Sequence, residues 1–573
     1  MHTVPVLYCC VYCFFGPRHH RIRMHHGIVF PAGQGGDKPY EKRSTTAAAK
    51  RVLIAALNAA NPADGEALAA QPAKQWRFGY QAHFVKVCAA LARDKATMLK
   101  VARAGLQSAH ATFRFHRAAG DAGGAQGTEL SFREAMRQGT FTGSFSTGVC
   151  GAKNTNPDWQ PDTIAVPYRG KEFRGDALLK LVAQWCDEGQ AEPSFGASVE
   201  EVVRNAKTWL DLRGKVFVLI GATSEMGPTD ALLRCGATII ALARPASKRD
   251  PEKWARLIAR ADRSPGTMLY PETDGEPGAD ALSQTPEIIN WLCDLFTSHA
   301  LCKGKVPHIY SGIYLDGGKF VRASLAMEAI ISELTKRLPA PSLPALLYID
   351  TPTSAHIIEP DTYEAQARLR TQAPCLLRAG AALGAFKPAP VHAEGTYVVA
   401  DFLAAEQGPN YAIAKLLQKF RAVWSRHGEE LLFQDGEGSG RRAKQLVSMT
   451  TGPAAKTDSV MHSPQMALVM SNLDGACAPN VAHDPETVQA LMPLVLIRDL
   501  FSARALGNPA NGKDGGNLGA MGFVAENSWH GGVWRSPFAL KDVGISIYLR
   551  VYAVRYVLPL LGVMAVAAVW FAR

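Results

Sequence analysis

The sequence has little of what marks a metal, disulfide or nucleic-acid protein. Its eleven cysteines are an odd number scattered over 573 residues, and the one Cys-x-x-Cys, Cys10 to Cys13, has no second pair to complete a zinc site. That usage excludes a disulfide framework and points to a reducing compartment. None of the sixteen histidines stands in His-Glu-x-x-His or another tight ligand spacing, so no metal site is expected. Lys/Arg runs and basic stripes interleaved with aromatics are missing as well. The net charge is +11, but +5 of it falls in residues 1–50, where seven Lys/Arg meet two Asp/Glu. The remainder is only mildly basic, which argues against a nucleic-acid partner. No internal repeat is visible, and long apolar runs occur only at the two ends, so a polytopic membrane protein is excluded. At 47% hydrophobic and 20% charged residues the chain has ordinary globular composition, which excludes wholesale disorder.

The ends are read first. An apolar stretch, residues 3–16, precedes a basic, His-rich one. A secretory signal has the opposite order, and the stretch is too short to span a bilayer. Residues 1–40 are therefore expected to be a leader without structure, either a targeting segment or a plain extension. Residues 556–572 read YVLPLLGVMAVAAVWFA, seventeen without a charge, preceded by Arg550 and Arg555. Trp570 and Phe571 stand where interfacial aromatics would sit. The segment 546–573 is accordingly expected to be an apolar helix anchoring the chain to a membrane; the alternative is a C-terminal helix docked in a hydrophobic groove.

Between the ends, residues 41–213 read as a mostly helical region. AAAKRVLIAALNAA and HFVKVCAALARDKATMLKVARAGLQSAHATF carry apolar residues at three- and four-residue spacing. SVEEVVRNAKTWLDLRG is expected to start a helix capped by Ser198, with Glu200 and Glu201 in its first turn. From residue 214 the pattern changes. KVFVLIG, GATIIALAR, TMLYP, HIYSGIYLDGG and ALLYID read as short buried strands, separated by helical segments such as TPEIINWLCDLF and SLAMEAIISELTKRL. Alternation at this spacing predicts an α/β fold with a doubly wound parallel sheet over residues 214–465. Residues 466–545 would form a cap or substrate region.

Two motifs carry chemistry. Gly221 closes the first strand of that unit and Gly227 follows six residues later, in G-A-T-S-E-M-G. Small residues in a strand-to-helix turn let backbone N–H groups face the pyrophosphate of a dinucleotide, which selects Gly221, Thr223, Ser224, Met226 and Gly227 as binding positions. The usual middle glycine is missing and Glu225 stands near the phosphate position; the alternative is a turn whose glycines serve packing only. The second strand ends in Arg244 rather than an acid, with Lys248 and Arg249 behind it. An arginine there accommodates a 2′-phosphate, so NADP is favoured over NAD. The second motif is GPNYAIAKLLQKF, which puts Tyr411 and Lys415 four apart on one helix face. In such a pair the ammonium lowers the phenol pKa and holds a ribose, while the phenol handles the proton of a carbonyl or alcohol oxygen. The late cluster Trp529, His530, Gly531, Gly532, Trp534 and Arg535 reads either as a substrate lid or as a packed turn with a satisfied histidine.

The order of glycine turn, Tyr-x-x-x-Lys, then a strand ending in Gly452-Pro453 with Thr457 nearby, resembles the short-chain dehydrogenase/reductase family, as a divergent branch. The resemblance covers roughly residues 214–465. It implies an NAD(P)-binding Rossmann-type fold, Tyr411 and Lys415 as catalytic residues, Lys415 also on the cofactor, and Pro453 and Thr457 over the nicotinamide. The chain departs from the family in three places. The glycine turn has two glycines, the Pro-Gly pair is reversed, and Val398 stands where the catalytic serine should lie before the tyrosine. ALLYID is however followed by Thr351-Pro352-Thr353-Ser354 and some forty-five further residues, so an insertion would keep the serine's place in space while destroying its spacing. Ser354 or Thr353 is the expected second hydroxyl. The function implied is an NADP-dependent oxidoreductase acting on a carbonyl or alcohol, lipophilic if the C-terminal segment lies at a bilayer. The competing reading is a non-catalytic dinucleotide-binding scaffold. A Rossmann-type methyltransferase is disfavoured, because it would want an acid where Arg244 stands.

Overall fold

A computed structural model of the chain describes residues 27–32, 43–117, 128–137, 145–151, 164–245, 251–339, 342–388, 390–394, 397–404, 406–428, 444–474, 478–512, 516–540, 542–544, 547, 551, 555, 559 and 564. Its centre is an eight-stranded sheet. Six of the strands are parallel: β1 (Val216–Ile220), β2 (Thr238–Leu242), β3 (Thr267–Thr273), β4 (Pro307–Ser311), β5 (Ala345–Asp350) and β6 (Val447–Thr451). They lie in the order 3-2-1-4-5-6. Beyond β3 the edge is closed by the antiparallel strand Ser146–Gly151, which comes from the mostly helical region upstream, and Glu276–Pro277 adds a short hairpin to β3.

The strands are continuously apolar because both faces of the sheet are covered. Along β1, Val216, Val218 and Ile220 enter one core while Phe217 and Leu219 enter the other. The first core is covered by α3 (Thr285–Ser298), α4 (Gly318–Arg337) and α5 (Gly408–His427). The second is covered by α1 (Thr229–Arg234), α2 (Pro251–Asp262) and α6 (Pro485–Phe501). The upstream helices thicken both layers. Thr45–Ala60, Ala73–Arg93 and Lys95–Thr112 join the first core, and Gly175–Asp187 and Pro193–Arg204 the second. Gly105 shows how close that outer layer lies, since a Cβ there would come within 2.3 Å of the Phe420 ring on α5. A buried charge cluster ties the same elements together. Arg421 of α5 donates to Glu328 of α4, its Nε at 2.5 Å, and His110 of the outer helix meets Glu328 at 3.1 Å.

Several expectations change against this frame. Part of the expected leader is ordered: Gly27–Val29 pairs antiparallel with Arg114–Arg117, while residues 1–26 lie outside the described residues. Ser198 is not an N-cap. A proline at the first helical position starts that helix at Pro193, so Ser198 falls in its second turn, where its hydroxyl donates to the Ser194 carbonyl at 2.8 Å. The segment expected to anchor the chain in a membrane falls almost entirely outside the described residues. Among the described residues no helix is long and apolar enough to cross a membrane. The insertion between β5 and α5 is a small antiparallel sheet of its own, ordered Ala355–Ile358, Tyr397–Asp401, Val391–Glu394, with helices Pro360–Gln372 and Cys375–Ala382 between its strands.

Candidate functional site

In an open parallel sheet, ligands bind beyond the carboxyl ends of the strands, where the strand order reverses. Here the reversal lies between β1 and β4. Gly221 follows β1 with φ of +95°, and a Cβ on it would stand 2.9 Å from the Gly312 carbonyl carbon and 3.0 Å from the Ile313 nitrogen. Only glycine lets the loop after β1 pass this close to the loop after β4. The turn is then wound by its own backbone. Ser224 N–H donates to the Gly221 carbonyl at 2.8 Å, Gly227 N–H to the Ser224 carbonyl at 3.0 Å, and the Thr229 hydroxyl to the Ala222 carbonyl at 2.9 Å. Tyr310 of β4 reaches the Met226 carbonyl at 3.3 Å. The amides of Gly221 and Ala222 are taken by the Leu242 carbonyl of β2. Those of Thr223, Glu225 and Met226 have no protein acceptor among the described residues. The carboxylate of Glu225 is turned aside, accepting the Asp458 N–H at 2.9 Å, and so joins the glycine turn to the segment after β6.

The second half of the site is built where β5 meets α5. Tyr411 and Lys415 share a face of α5, as their spacing requires. Tyr411 packs on Tyr314, from the loop after β4, with ring centroids 6.0 Å apart, and on Phe320 at 5.4 Å. The Thr351 side chain lies beside the phenol and works against part of the rise in its pKa. Burial, with Tyr314 and Asp350 close by, pushes the phenol above its ordinary pKa. This departs from the expectation of a phenol made more acidic by Lys415. That ammonium donates instead to the Ile349 carbonyl at 2.8 Å, and burial depresses its pKa against the support of Asp350.

The expected hydroxyls, Thr353 and Ser354, and their neighbour Thr351 have different surroundings. Thr351 lies beside Tyr411 and 2.7 Å from the Thr353 hydroxyl, which in turn reaches Gln407 at 2.5 Å. Ser354 is buried where the chain enters the inserted sheet, its carbonyl accepting Phe402 N–H at 3.1 Å. The Thr351 carbonyl meets His356 at 2.7 Å, a ring that burial holds neutral with a pKa of about 3.

The remaining predicted positions surround this edge. Arg244 lies two residues beyond the end of β2 and is half-buried, its carbonyl accepting the Trp254 indole N–H at 2.8 Å; Lys248 and Arg249 lie outside the described residues. Thr457 precedes the short helix Asp458–Met461 and its hydroxyl is 3.0 Å from that of Ser459. Pro453 is buried against Gly531. The Trp-His-Gly-Gly cluster is a packed turn. His530 is fully buried, its Nε2 2.8 Å from Glu192 Oε1 and its Nδ1 accepting Gly532 N–H at 3.1 Å. Arg535 donates to the same carboxylate at 2.7 and 3.1 Å. Burial alone would raise the Glu192 pKa, but His530 and Arg535 hold it at about 2.

The glycine turn, the β4 loop, Thr351, Tyr411 and the segment after β6 thus meet along one edge of the sheet. Thr351, Tyr314 and Asp350 were not singled out in the sequence, nor was Lys419 of α5, whose Nζ lies 3.3 Å from the Asp350 carboxylate. Of these only Lys419, one helical turn beyond Lys415, left a readable signal. Compared with known proteins, the chain matches no protein-family model, and no curated protein aligns with it significantly.

Proposed function

We propose that this chain is an NADP-dependent oxidoreductase of short-chain dehydrogenase/reductase type, built on a doubly wound Rossmann-type sheet and acting on a carbonyl or alcohol. The observation that carries the reading is the meeting of Tyr411 and Thr351 with the loops of the β1–β4 reversal in a 3-2-1-4-5-6 sheet. The residues present fit a dinucleotide. The amides of Thr223, Glu225 and Met226 would take the pyrophosphate, Arg244 the 2′-phosphate, Lys415 the ribose hydroxyls, and Pro453 and Thr457 the nicotinamide side. When bound, NADPH supplies the hydride. The chain supplies the proton: Tyr411, kept protonated by burial, donates it to the substrate oxygen, and Thr351 orients the phenol. The turning of Lys415 toward the Ile349 carbonyl is the one observation that favours a non-catalytic dinucleotide-binding scaffold.

The test is a thermal-shift titration of the full chain with NADPH and NADH. At 100 times its dissociation constant a ligand stabilises the fold by ~2.7 kcal/mol. Arg244→Ala should cost NADPH roughly 1.5–3 kcal/mol, the worth of a charge-assisted hydrogen bond, and leave NADH nearly unchanged. Absence of any shift with either nucleotide would sink the reading.

A further inference from the structure

Two ammonium groups and one carboxylate meet at the carboxyl end of β5, although the reaction proposed above uses only Lys415. Asp350 is 2% exposed. Its Oδ1 accepts the Thr351 N–H at 2.8 Å and so fixes the backbone of the residue that lies beside Tyr411. Its Oδ2 has no hydrogen-bond partner among the described residues but lies 3.3 Å from Lys419 Nζ. Lys419 is itself buried and donates to the Ala355 carbonyl at 3.3 Å, the first residue of the inserted sheet. Lys415, one turn earlier on α5, touches no carboxylate among the described residues. It donates to the Ile349 carbonyl and stands 6.0 Å from the Phe320 ring centroid. The other titratable groups facing the cluster, among the described residues, are Tyr411, His356 and the buried Cys88 thiol of the outer helix Ala73–Arg93; Tyr314 faces Tyr411, and His530 lies beyond His356.

A buried carboxylate without a counter-ion draws the nearest cation, because an unpaired charge in a low-dielectric site is costly. We propose that Asp350 and Lys419 are a positioning pair: Lys419 takes up the carboxylate's charge, so that Lys415 keeps an unneutralised ammonium for the hydroxyl or phosphate oxygens of a nucleotide. The inference rests on the oxidoreductase reading. Lys419 is not a catalytic residue; it acts through Lys415.

The experiment is an NMR titration of the Lys415 ammonium in the ¹⁵N-lysine-labelled full chain, without nucleotide, in wild type, Lys419→Met and Asp350→Asn. Lys419→Met removes a repelling charge and frees Asp350, so the Lys415 pKa should rise. Asp350→Asn removes the supporting charge, so it should fall below wild type. Shifts in the same direction, or none, overturn the pair. If either single variant does not fold, Asp350→Asn/Lys419→Met carries the test, since neither charge is left unpaired. There the Lys415 pKa should stay near its wild-type value, because a carboxylate and the ammonium that takes up its charge leave together; a change of about one pKa unit or more in either direction refutes the proposal. NADPH affinity in Lys419→Met should fall roughly 10- to 100-fold, as when a charge-assisted hydrogen bond is lost. The two readings fail separately. A wild type that binds no dinucleotide defeats the oxidoreductase, whereas a Lys415 titration indifferent to Lys419 defeats the pair.

Discussion

Replacing Gly221 by alanine tests the reversal point of the sheet with a single methyl group. The residue sits at φ of +95°, where an L side chain is strained. The new Cβ would come within 2.9 to 3.1 Å of Gly312 C, Ile313 N and Gly312 O. All three are backbone atoms, so no rotamer change relieves the contact. The loop after β4 must move, and with it Tyr314, which packs on Tyr411. The conformational strain costs ~1–3 kcal/mol and the overpacking another ~1–3 kcal/mol, together roughly 2–6 kcal/mol of folding stability. That is a large part of the ~5–15 kcal/mol that holds a typical domain.

Gly227 is the internal control. It shares the motif, but its φ is not positive. Its added Cβ would meet Ser224 O at 3.1 Å and Thr229 Oγ1 at 3.6 Å, contacts that a shift of the turn by a few tenths of an ångström relieves. Gly227→Ala should therefore cost under ~1 kcal/mol. Urea denaturation followed by tryptophan fluorescence, with NADPH titration of each variant, measures both effects. If Gly221→Ala is as stable as Gly227→Ala, the close approach of the β1 and β4 loops is not real. The placement of the nucleotide site at the reversal falls with it.

Two further outcomes follow from the same side chains. Tyr411→Phe and Thr351→Val should each bind NADPH like wild type yet lose turnover, Tyr411→Phe by about 10²–10⁴-fold, while Ser354→Ala stays active; a steady-state assay in which Ser354→Ala is the damaging change would return the second hydroxyl to Ser354. Acid should unfold the chain through Glu192. Its carboxyl is held at about 2, against an ordinary value of 4.5, by His530 and Arg535 despite burial. A depressed folded-state pKa contributes stability that is present above pH ~4.5 and lost as the pH falls toward ~2. Denaturation midpoints should thus drop over that window in wild type and drop less in Glu192→Gln, which starts lower at neutral pH; parallel profiles would show that the triad carries no pH dependence.

What could be read from the sequence depended on how local its cause was. β1 and β2 were legible because a strand covered on both faces is apolar without interruption, as Val216–Ile220 and Thr238–Leu242 are. Tyr411 and Lys415 were legible because helical spacing alone puts them on one face. Ser198 misled, because a serine followed by acids signals a helix start only where no stronger signal precedes it, and Pro193 does precede it. Which hydroxyl after β5 lies beside Tyr411 was out of reach for a different reason. Thr351, Thr353 and Ser354 stand within four residues, and the choice among them is made by which one faces α5, sixty residues downstream. Likewise, nothing local pairs Glu192 with His530 across 338 positions. The charge state of the site belongs to this second class: the Tyr-x-x-x-Lys spacing announces an ammonium but not its counter-ion. Whether Lys415 can serve a nucleotide turns on whether Asp350 is already spoken for, and Lys419 decides that through a contact of 3.3 Å that no spacing rule contains.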